Sequence, residues 1–327
     1  MNLKNKKILV TGAAGFIGSN ICLHLQENYN DCQIVAIDSF ETNKKFLNGN
    51  PYSYAHYKNL LEFKGTLLSL DITKKEDLQY LNENFNFDYI FHQAAISDTT
   101  VHEQELMIKT NVNAFEELIK IAINHNANIV YASSAATYGN EPSPQKVGRE
   151  NPNNIYGFSK LMMDNIARKY MNKQLDILIV GLRYFNVYGK NEYFKQKTAS
   201  MVLQFGHQLL NNERPKLFED SENIFRDFVY IKDIIQANIL ATKASKSGIY
   251  NVGSKCERSF KDIVDILQKE LNTSHEIEYI KNPYIGSYQF YTKADITDTV
   301  NFLGYNPKYS LEEGIKFHIL KKPFLKK

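Results

Sequence analysis

The run NIYGFSK places Tyr156 four residues before Lys160. On a helix, residues four apart share a face, so the lysine ammonium can sit beside the phenol. An unperturbed tyrosine titrates near pH ~10 and is a poor base at neutral pH. A neighbouring cation favours the phenolate and tunes the group for moving a proton on and off an alcohol. The spacing alone is common in a chain with 21 tyrosines, and Tyr54–Lys58 and Tyr193–Lys197 share it. Only Tyr156 follows, by about twenty residues, a β-rich run ending in a serine pair, IVYASSAATYG. Ser134 in that run can hydrogen-bond the same reacting oxygen, which completes a Ser–Tyr–Lys set.

A second constellation lies at the N-terminus. VTGAAGFIGSN carries Gly12, Gly15 and Gly18 directly after a strand-like run and at the opening of a helical one. Glycine lets the backbone turn tightly and approach a pyrophosphate, whose charge is stabilised by free amides at the helix start. Asp38 ends the next strand-like run, twenty positions past Gly18, where a carboxylate can bind the hydroxyl pair of an adenosine ribose. Such a carboxylate favours NAD and repels a 2′-phosphate, yet Lys44 and Lys45 follow closely and could neutralise one. NAD and NADP both stay open at this point. With a dinucleotide in place, Lys160 acquires a second use in holding the nicotinamide ribose.

A third stretch, GKNEYFKQKTAS, packs Lys190, Lys195 and Lys197 into a short span after the aromatic run LRYFNVY. A solvated loop is the ordinary reading of such a stretch. Spacing alone does not choose a chemical lysine among the three.

These groups need elements to hold them. Short β-rich runs (KKILVTG, CQIVAIDS, GTLLSLDIT, FDYIFHQAA, ANIVYASS, LDILIVGLRYF) alternate with helical patterns through FIGSNICLHLQEN and near 74–84, 104–125 and 156–172. That alternation implies βαβ units, and strands this continuously apolar are expected when helices cover both faces of a parallel sheet. The fold class is therefore α/β, a Rossmann-type doubly wound parallel sheet with a smaller, interleaved α+β substrate domain. Residues 1–183 form the dinucleotide-binding part, with returns to its sheet expected at IFRDFVYIKDI and SGIYNVGS, near 225–254. Residues 184–224 and 255–327 form the substrate-binding part.

The remaining composition narrows the class. Apolar content of 43% and charged content of 23% are those of a globular chain, and the +3 net charge owes much to the terminal KKPFLKK, so a nucleic-acid partner is not expected. No run approaches the ~20 apolar residues of a membrane span, and the N-terminus lacks a signal-peptide pattern. Three cysteines without CxxC spacing argue against a zinc site or a disulfide framework. The expectation is a cytoplasmic protein with no metal, forming a homo-oligomer as soluble enzymes commonly do.

The motifs TGAAGFIG, HQAA, YASSAATYG, YGFSK and LRYFNVYG resemble the extended short-chain dehydrogenase/reductase family of nucleotide-sugar epimerases, dehydratases and reductases, over essentially the whole chain. Within it, AAISDTT, KTASMVLQF, KLFEDSENIFRDFVY and SYQFYTKADI resemble the branch that epimerises ADP-heptose at C6 for the lipopolysaccharide core. The resemblance implies one tightly bound NADP or NAD per subunit, oxidation of the C6 alcohol to a transient ketone, and re-reduction on the opposite face. The alcohol oxygen then points one way before the sugar reorients and the other way afterwards. One tyrosine serves one orientation, so a second acid/base is required, and the family motif places it at Lys195.

The same matching implies cofactor contacts at Phe16, Ile17, Ser39, Lys45, Asp71, Ile72, Gln93, Ala94, Ala95, Ser97, Asn111 and Val187. It implies substrate contacts at Ser134, Asn186, Lys197, Gln204, Phe218, Glu219, Asp220, Ser221, Arg226 and Tyr288. Arg226 suits a diphosphate, because a planar guanidinium can donate two bonds at once; the competing role is an ion pair with Asp227 or Asp233. Gln204 and Asp220 depart from the pattern and put the exact sugar contacts in question. A 4,6-dehydratase is the lyase rival, but its Asp–Glu pair is replaced here by Ala135, Ala136 and Thr137. A UDP-hexose 4-epimerase is a closer rival that needs no added lysine, and a dinucleotide-sensing module would have no use for Ser134, Tyr156 and Lys160 together.

Overall fold

The computed structural model describes residues 3–29, 31–173, 175–282 and 289–320. Seven strands form one parallel sheet: β1 (Lys7–Thr11), β2 (Gln33–Asp38), β3 (Thr66–Ser69), β4 (Tyr89–His92), β5 (Asn128–Ser134), β6 (Ile179–Tyr184) and, much later in the chain, β10 (Gly248–Val252). Their spatial order is β10-β6-β5-β4-β1-β2-β3, so the chain winds outward in one direction from β1 and then returns to build the other half from β4. The crevice at this reversal, beyond the C-terminal ends of β1 and β4, is where open α/β sheets bind ligands.

The helices follow from the apolar pattern. In β1, Ile8 and Val10 face one buried cluster and Leu9 the other, as a period of two requires. The first face packs against α1 (Phe16–Asn28) and the second against α2 (Lys75–Asn84), through Ile21 and Leu25 on one side and Leu78 and Leu81 on the other. The helical stretch expected over 104–125 is interrupted: α3 (Gln104–Met107) passes through a π-helical turn at Ile108–Asn113 into α4 (Ala114–Asn124). The long helix α5 (Ile155–Met171) also covers the second face, through Met163 and Ala167.

The remaining elements follow β6 in the chain, and some of them pack back against the large sheet. Phe185 links β6 to β7 (Asn186–Tyr188), followed by α6 (Met201–Leu210), β8 (Lys216–Phe218) and β9 (Phe225–Tyr230). Then come α7 (Ile231–Ala241), β11 (Glu257–Ser259), α8 (Phe260–Leu271), β12 (Glu278–Ile280), α9 (Thr297–Leu303) and α10 (Leu311–Leu320). Strands β7, β9 and β11 form a small sheet, and β8 pairs with β12. Of the two expected returns to the large sheet, Gly248–Val252 pairs with β6 in parallel, whereas Phe225–Tyr230 pairs with β7 and β11 instead. The reason is local: β7 diverges from the end of β6 and offers β9 a fresh edge, while β10 occupies the outer edge of β6.

Candidate active site

The glycine turn behaves as its composition dictates. Gly12 has φ +65°, and a Cβ there would lie 2.6 Å from the Ala94 nitrogen, so only glycine lets β1 and the end of β4 close together. Gly15 caps α1, and Gly12, Gly15, Phe16, Ile17 and Gly18 line a cavity of about 310 Å³ at the sheet reversal. Asp38, Ser39, Asp71, Ile72, Gln93, Ala94, Ala95, Ser97, Val187 and Lys195 line the same cavity. Asp38 is almost fully buried and accepts from the Ala14 amide at 3.1 Å. Burial pushes its carboxyl upward, and the amides of Phe40 and Ala14 partly offset that.

Two expected cofactor contacts stand elsewhere. Lys45 is exposed and outside the cavity lining, as is its neighbour Lys44, which pairs with Glu41 at 2.5 Å. Asn111 is wholly buried behind the cavity wall. Its amide nitrogen donates to the Ile96 carbonyl (3.0 Å) and the Ser159 hydroxyl (2.9 Å), and its oxygen accepts from the Ile96 amide (2.8 Å). The π-helical turn brings this side chain inward, so it clamps the segment after β4 against α5. Its amide nitrogen is fully partnered and its oxygen keeps one acceptor site, so it braces the wall from behind.

Ser134, Tyr156 and Lys160 do converge on the cavity. Asn154 caps α5 by accepting from the Gly157 amide at 2.8 Å, which puts Tyr156 in the first helical turn. Gly157 permits the approach, since a Cβ there would sit 2.4 Å from the Ala136 carbonyl oxygen just past Ser134. The Ser134 hydroxyl lies beside the Tyr156 phenol. Lys160, 2% exposed, donates to the Ala132 carbonyl at 2.8 Å, and its Nζ lies 5.9 Å from the Tyr156 ring centre. Burial pulls this lysine down to about 8, and the Asp164 carboxylate partly offsets the fall.

The tyrosine differs from expectation. Burial raises its pKa, and the Ser134 hydroxyl only partly counters that. Lys160 alone therefore does not bring the phenol toward neutrality. Desolvation outweighs a cation whose proton is engaged by a backbone carbonyl, and a bound oxidised nicotinamide would add the missing positive charge.

Among the three lysines of GKNEYFKQKTAS, Lys195 is the one that lines the cavity; Lys190 and Lys197 are exposed and outside the lining. Lys195 lies over the Phe16 ring at 5.7 Å, and burial lowers its pKa while the carboxylates of Glu192 and Asp98 oppose the drop. Its loop is latched to the segment after β2. The Phe194 and His56 rings stack at 3.5 Å with planes 2° apart, and the Thr198 hydroxyl meets the Tyr54 phenol. Tyr54, Tyr52, Ser53 and Asp98 thus join the lining, and none was legible as a site residue.

Of the expected sugar contacts, Ser134 lines this cavity, whereas Asn186, Gln204, Phe218 to Ser221 and Arg226 stand outside its lining. Asn186 hydrogen-bonds the Asp227 carbonyl (3.3 Å), and Gln204 uses its amide on the Ala199 (2.7 Å) and Lys197 (3.3 Å) carbonyls. Phe218 to Ser221 form the end of β8 and a short turn in which Asp220 is exposed with φ +62°. Arg226 is buried on β9, stacks near Phe260 and donates to the Phe225 carbonyl at 3.0 Å. The rival ion-pair partners are engaged otherwise: Asp227 accepts from Ser254 and Ala294, and Asp233 from the Lys308 and Tyr309 amides. Tyr288 lies outside the described residues. No group of three or more metal-ligating side chains occurs among the described residues.

Most of the chain matches a family model. Residues 8–253 fit the NAD dependent epimerase/dehydratase family. The chain belongs to that family. A solved structure of ADP-L-glycero-D-manno-heptose-6-epimerase from Helicobacter pylori is 48% identical, with 98% of this chain and 96% of that one covered and a TM-score of 0.90. UDP-glucuronic acid 4-epimerase from Bacillus cereus, solved with UDP-glucuronic acid and NAD, is 28% identical over 95% of this chain and 97% of that one, TM-score 0.80. UDP-glucose 4-epimerase from Thermotoga maritima, solved with UDP-glucose, is 25% identical over 96% and 97%, TM-score 0.84. This family member is an isomerase that uses a nicotinamide dinucleotide and takes a nucleotide sugar. The residues fit the dinucleotide: a glycine cradle closed to any Cβ at Gly12, an acid at the end of β2, and Lys160 at the far end of the same cavity.

Proposed function

We propose that the chain converts ADP-D-glycero-D-manno-heptose to its L-glycero epimer at C6, for the inner core of lipopolysaccharide. The supporting observation is the presence of two proton-handling groups from separate elements in one cavity, Tyr156 on α5 and Lys195 on the loop after β7, in a chain 48% identical to a heptose 6-epimerase. A bound nicotinamide supplies reversible hydride acceptance at C6. Tyr156 exchanges the proton of the C6 hydroxyl in one orientation, with Ser134 hydrogen-bonding the same oxygen. Lys160 holds the ribose side and lends its charge to the phenol. Lys195 exchanges the proton when the oxygen points the other way. Its ordinary pKa of about 10.4 makes it an acid, and burial brings it toward the range where it can also accept.

Arg226 and the turn at Phe218 to Ser221 lie where the small sheets could hold the diphosphate and sugar, with Asn186 and Gln204 orienting the loops. The split into a dinucleotide-binding part and an interleaved substrate part belongs to the same reading. So do the homo-oligomer and the cytoplasm, in keeping with three free cysteines. No helix among the described residues is long and apolar enough to cross a membrane.

The deciding experiment is incubation with ADP-D-glycero-D-manno-heptose followed by chromatographic separation of the C6 epimers. Conversion that stops in Tyr156→Phe and in Lys195→Met, with cofactor still bound, is the expected outcome. Turnover of UDP-glucose to UDP-galactose without heptose turnover would replace this reading with the hexose 4-epimerase one.

A further inference from the structure

Glu192 is a loop glutamate that the mechanism above does not use, yet it is 1% exposed. Its Oε1 accepts from the Gly189 amide at 2.9 Å and the Ser200 hydroxyl at 3.0 Å, and its Oε2 accepts from the Ser200 amide at 2.9 Å. Its backbone carbonyl accepts from the Lys195 amide at 2.9 Å. One carboxylate therefore ties the start of the lysine loop to its end, and the same residue's main chain holds the lysine itself. A buried carboxylate needs compensation, because an isolated charge in a dry site is strongly unfavourable.

The ionisable groups around it are few. His318 of α10 approaches Oε1 at 3.7 Å, but burial, with the charge of His207 on α6, pushes that imidazole down to about 3, so it is neutral and supplies no cation. Tyr188 of β7 is a neutral phenol whose pKa burial pushes well up. Lys195 is the cation that acts on Glu192, and Glu192 and Asp98 are the anions that act on Lys195.

We propose that Glu192 is the positioning residue of Lys195, fixing the loop that carries it and supplying a counter-charge to its ammonium at the cavity. This rests on Lys195 being the second acid/base, although its decisive test needs no substrate. Without that carboxylate the lysine sheds its proton earlier and drifts from the sugar, so it fails as the acid that completes re-reduction. Asp98 sits at the lining as a second anion, held by Thr100, Asn50 and Asn48, and limits the change without abolishing it.

The test is competitive acetylation of Lys195 by acetic anhydride across pH, read by peptide mass spectrometry on the cofactor-loaded protein. In Glu192→Gln the midpoint is expected to fall measurably, by up to about one pH unit, the lower end for the removal of an opposite charge. Glu192→Asp, which keeps the charge, is expected to restore most of it. Epimerisation should fall about tenfold in kcat with substrate KM within about twofold, since a positioning group acts on the reacting step. An unchanged acetylation midpoint in folded Glu192→Gln overturns the proposal, whatever happens to kcat.

Should that variant not fold, the reciprocal measurement decides. Coupling between two sites is mutual, so the carboxyl carbon NMR midpoint of Glu192 must rise in Lys195→Met by the interval lost by the lysine. No rise overturns the proposal equally. Wild-type protein that fails to epimerise the heptose, with both titrations behaving as stated, would instead sink the functional reading and leave this coupling standing.

Discussion

Asp164→Asn separates what a buried charge network does for the fold from what it does for the site. Asp164 and Arg183 are both fully buried, and the carboxylate accepts from Nε at 2.9 Å and Nη2 at 2.7 Å, with the Tyr131 hydroxyl donating at 2.8 Å. Arg183 keeps a second carboxylate, Glu150, at 2.6 Å. Asparagine preserves the shape and one acceptor but removes half of the arginine's counter-charge. Breaking a buried pair from one side costs roughly 3–5 kcal/mol, and the surviving Glu150 places this case near ~3. Unfolding entropy of about 2.1 cal/mol/K per residue, over 327 residues, gives roughly 0.7 kcal/mol/K, so Tm should fall by about 4 °C. The same substitution withdraws the anion that holds Lys160 up, and a lysine already brought to about 8 drops further. Its charge is then lost around neutrality, so the activity deficit should widen from pH 6.5 to pH 8. Thermal unfolding by circular dichroism and initial rates at those two pH values read the two effects separately. A Tm change below about 1 °C would show that Glu150 alone compensates Arg183. A deficit independent of pH would refute the coupling to Lys160.

Lys160→Met should abolish epimerisation while stabilising the cofactor-free protein by roughly 1–2 kcal/mol, because methionine removes a desolvated charge at the loss of one hydrogen bond to Ala132. The sign follows from a folded pKa of about 8 below an unfolded value of about 10.4: the unfolded chain binds more protons between them. The penalty is complete below pH ~8 and fades toward pH ~10.4, so the Tm advantage of the variant should shrink over that window, and a constant advantage would contradict the burial argument. Gln196 occupies φ +50° and ψ −123° beside Lys195, a conformation disfavoured for a side-chain-bearing residue. Gln196→Gly should raise stability by about 1 kcal/mol after its entropy penalty, and a lower melting temperature would show that the glutamine's contacts outweigh the strain. Asp38→Ala should weaken NAD by about tenfold and NADP less, measured by fluorescence titration of stripped protein. Equal weakening would deny the carboxylate a ribose contact.

Elements whose role is carried by their own pattern were legible in the sequence. The strands of the large sheet read as unbroken apolar runs because helices cover both faces, and α1 opens at Phe16 because the glycine turn leaves it nowhere else to start. Phe225–Tyr230 was misplaced for a physical reason: a buried strand reads alike whichever sheet it joins, and its partner β7 is distant in sequence. Asn111 was placed in the right neighbourhood, but its bonds to Ile96 and Ser159 were not legible, because they depend on the π-helical turn. Glu192 and Asp98 left no signal, because a loop carboxylate looks solvated until packing closes over it. The three YxxxK pairs carry this furthest. Tyr54, the pair rejected for want of a preceding strand and serine, lines the same cavity as Tyr156 and is hydrogen-bonded with Thr198 on the Lys195 loop. Its lysine is exposed, and burial raises its phenol. The spacing thus found two cavity tyrosines and could not rank them. What ranks them is that α5, pressed by Gly157 against the end of β5, delivers Lys160 buried beside Tyr156, whereas the short turn after Tyr54 delivers Lys58 to solvent.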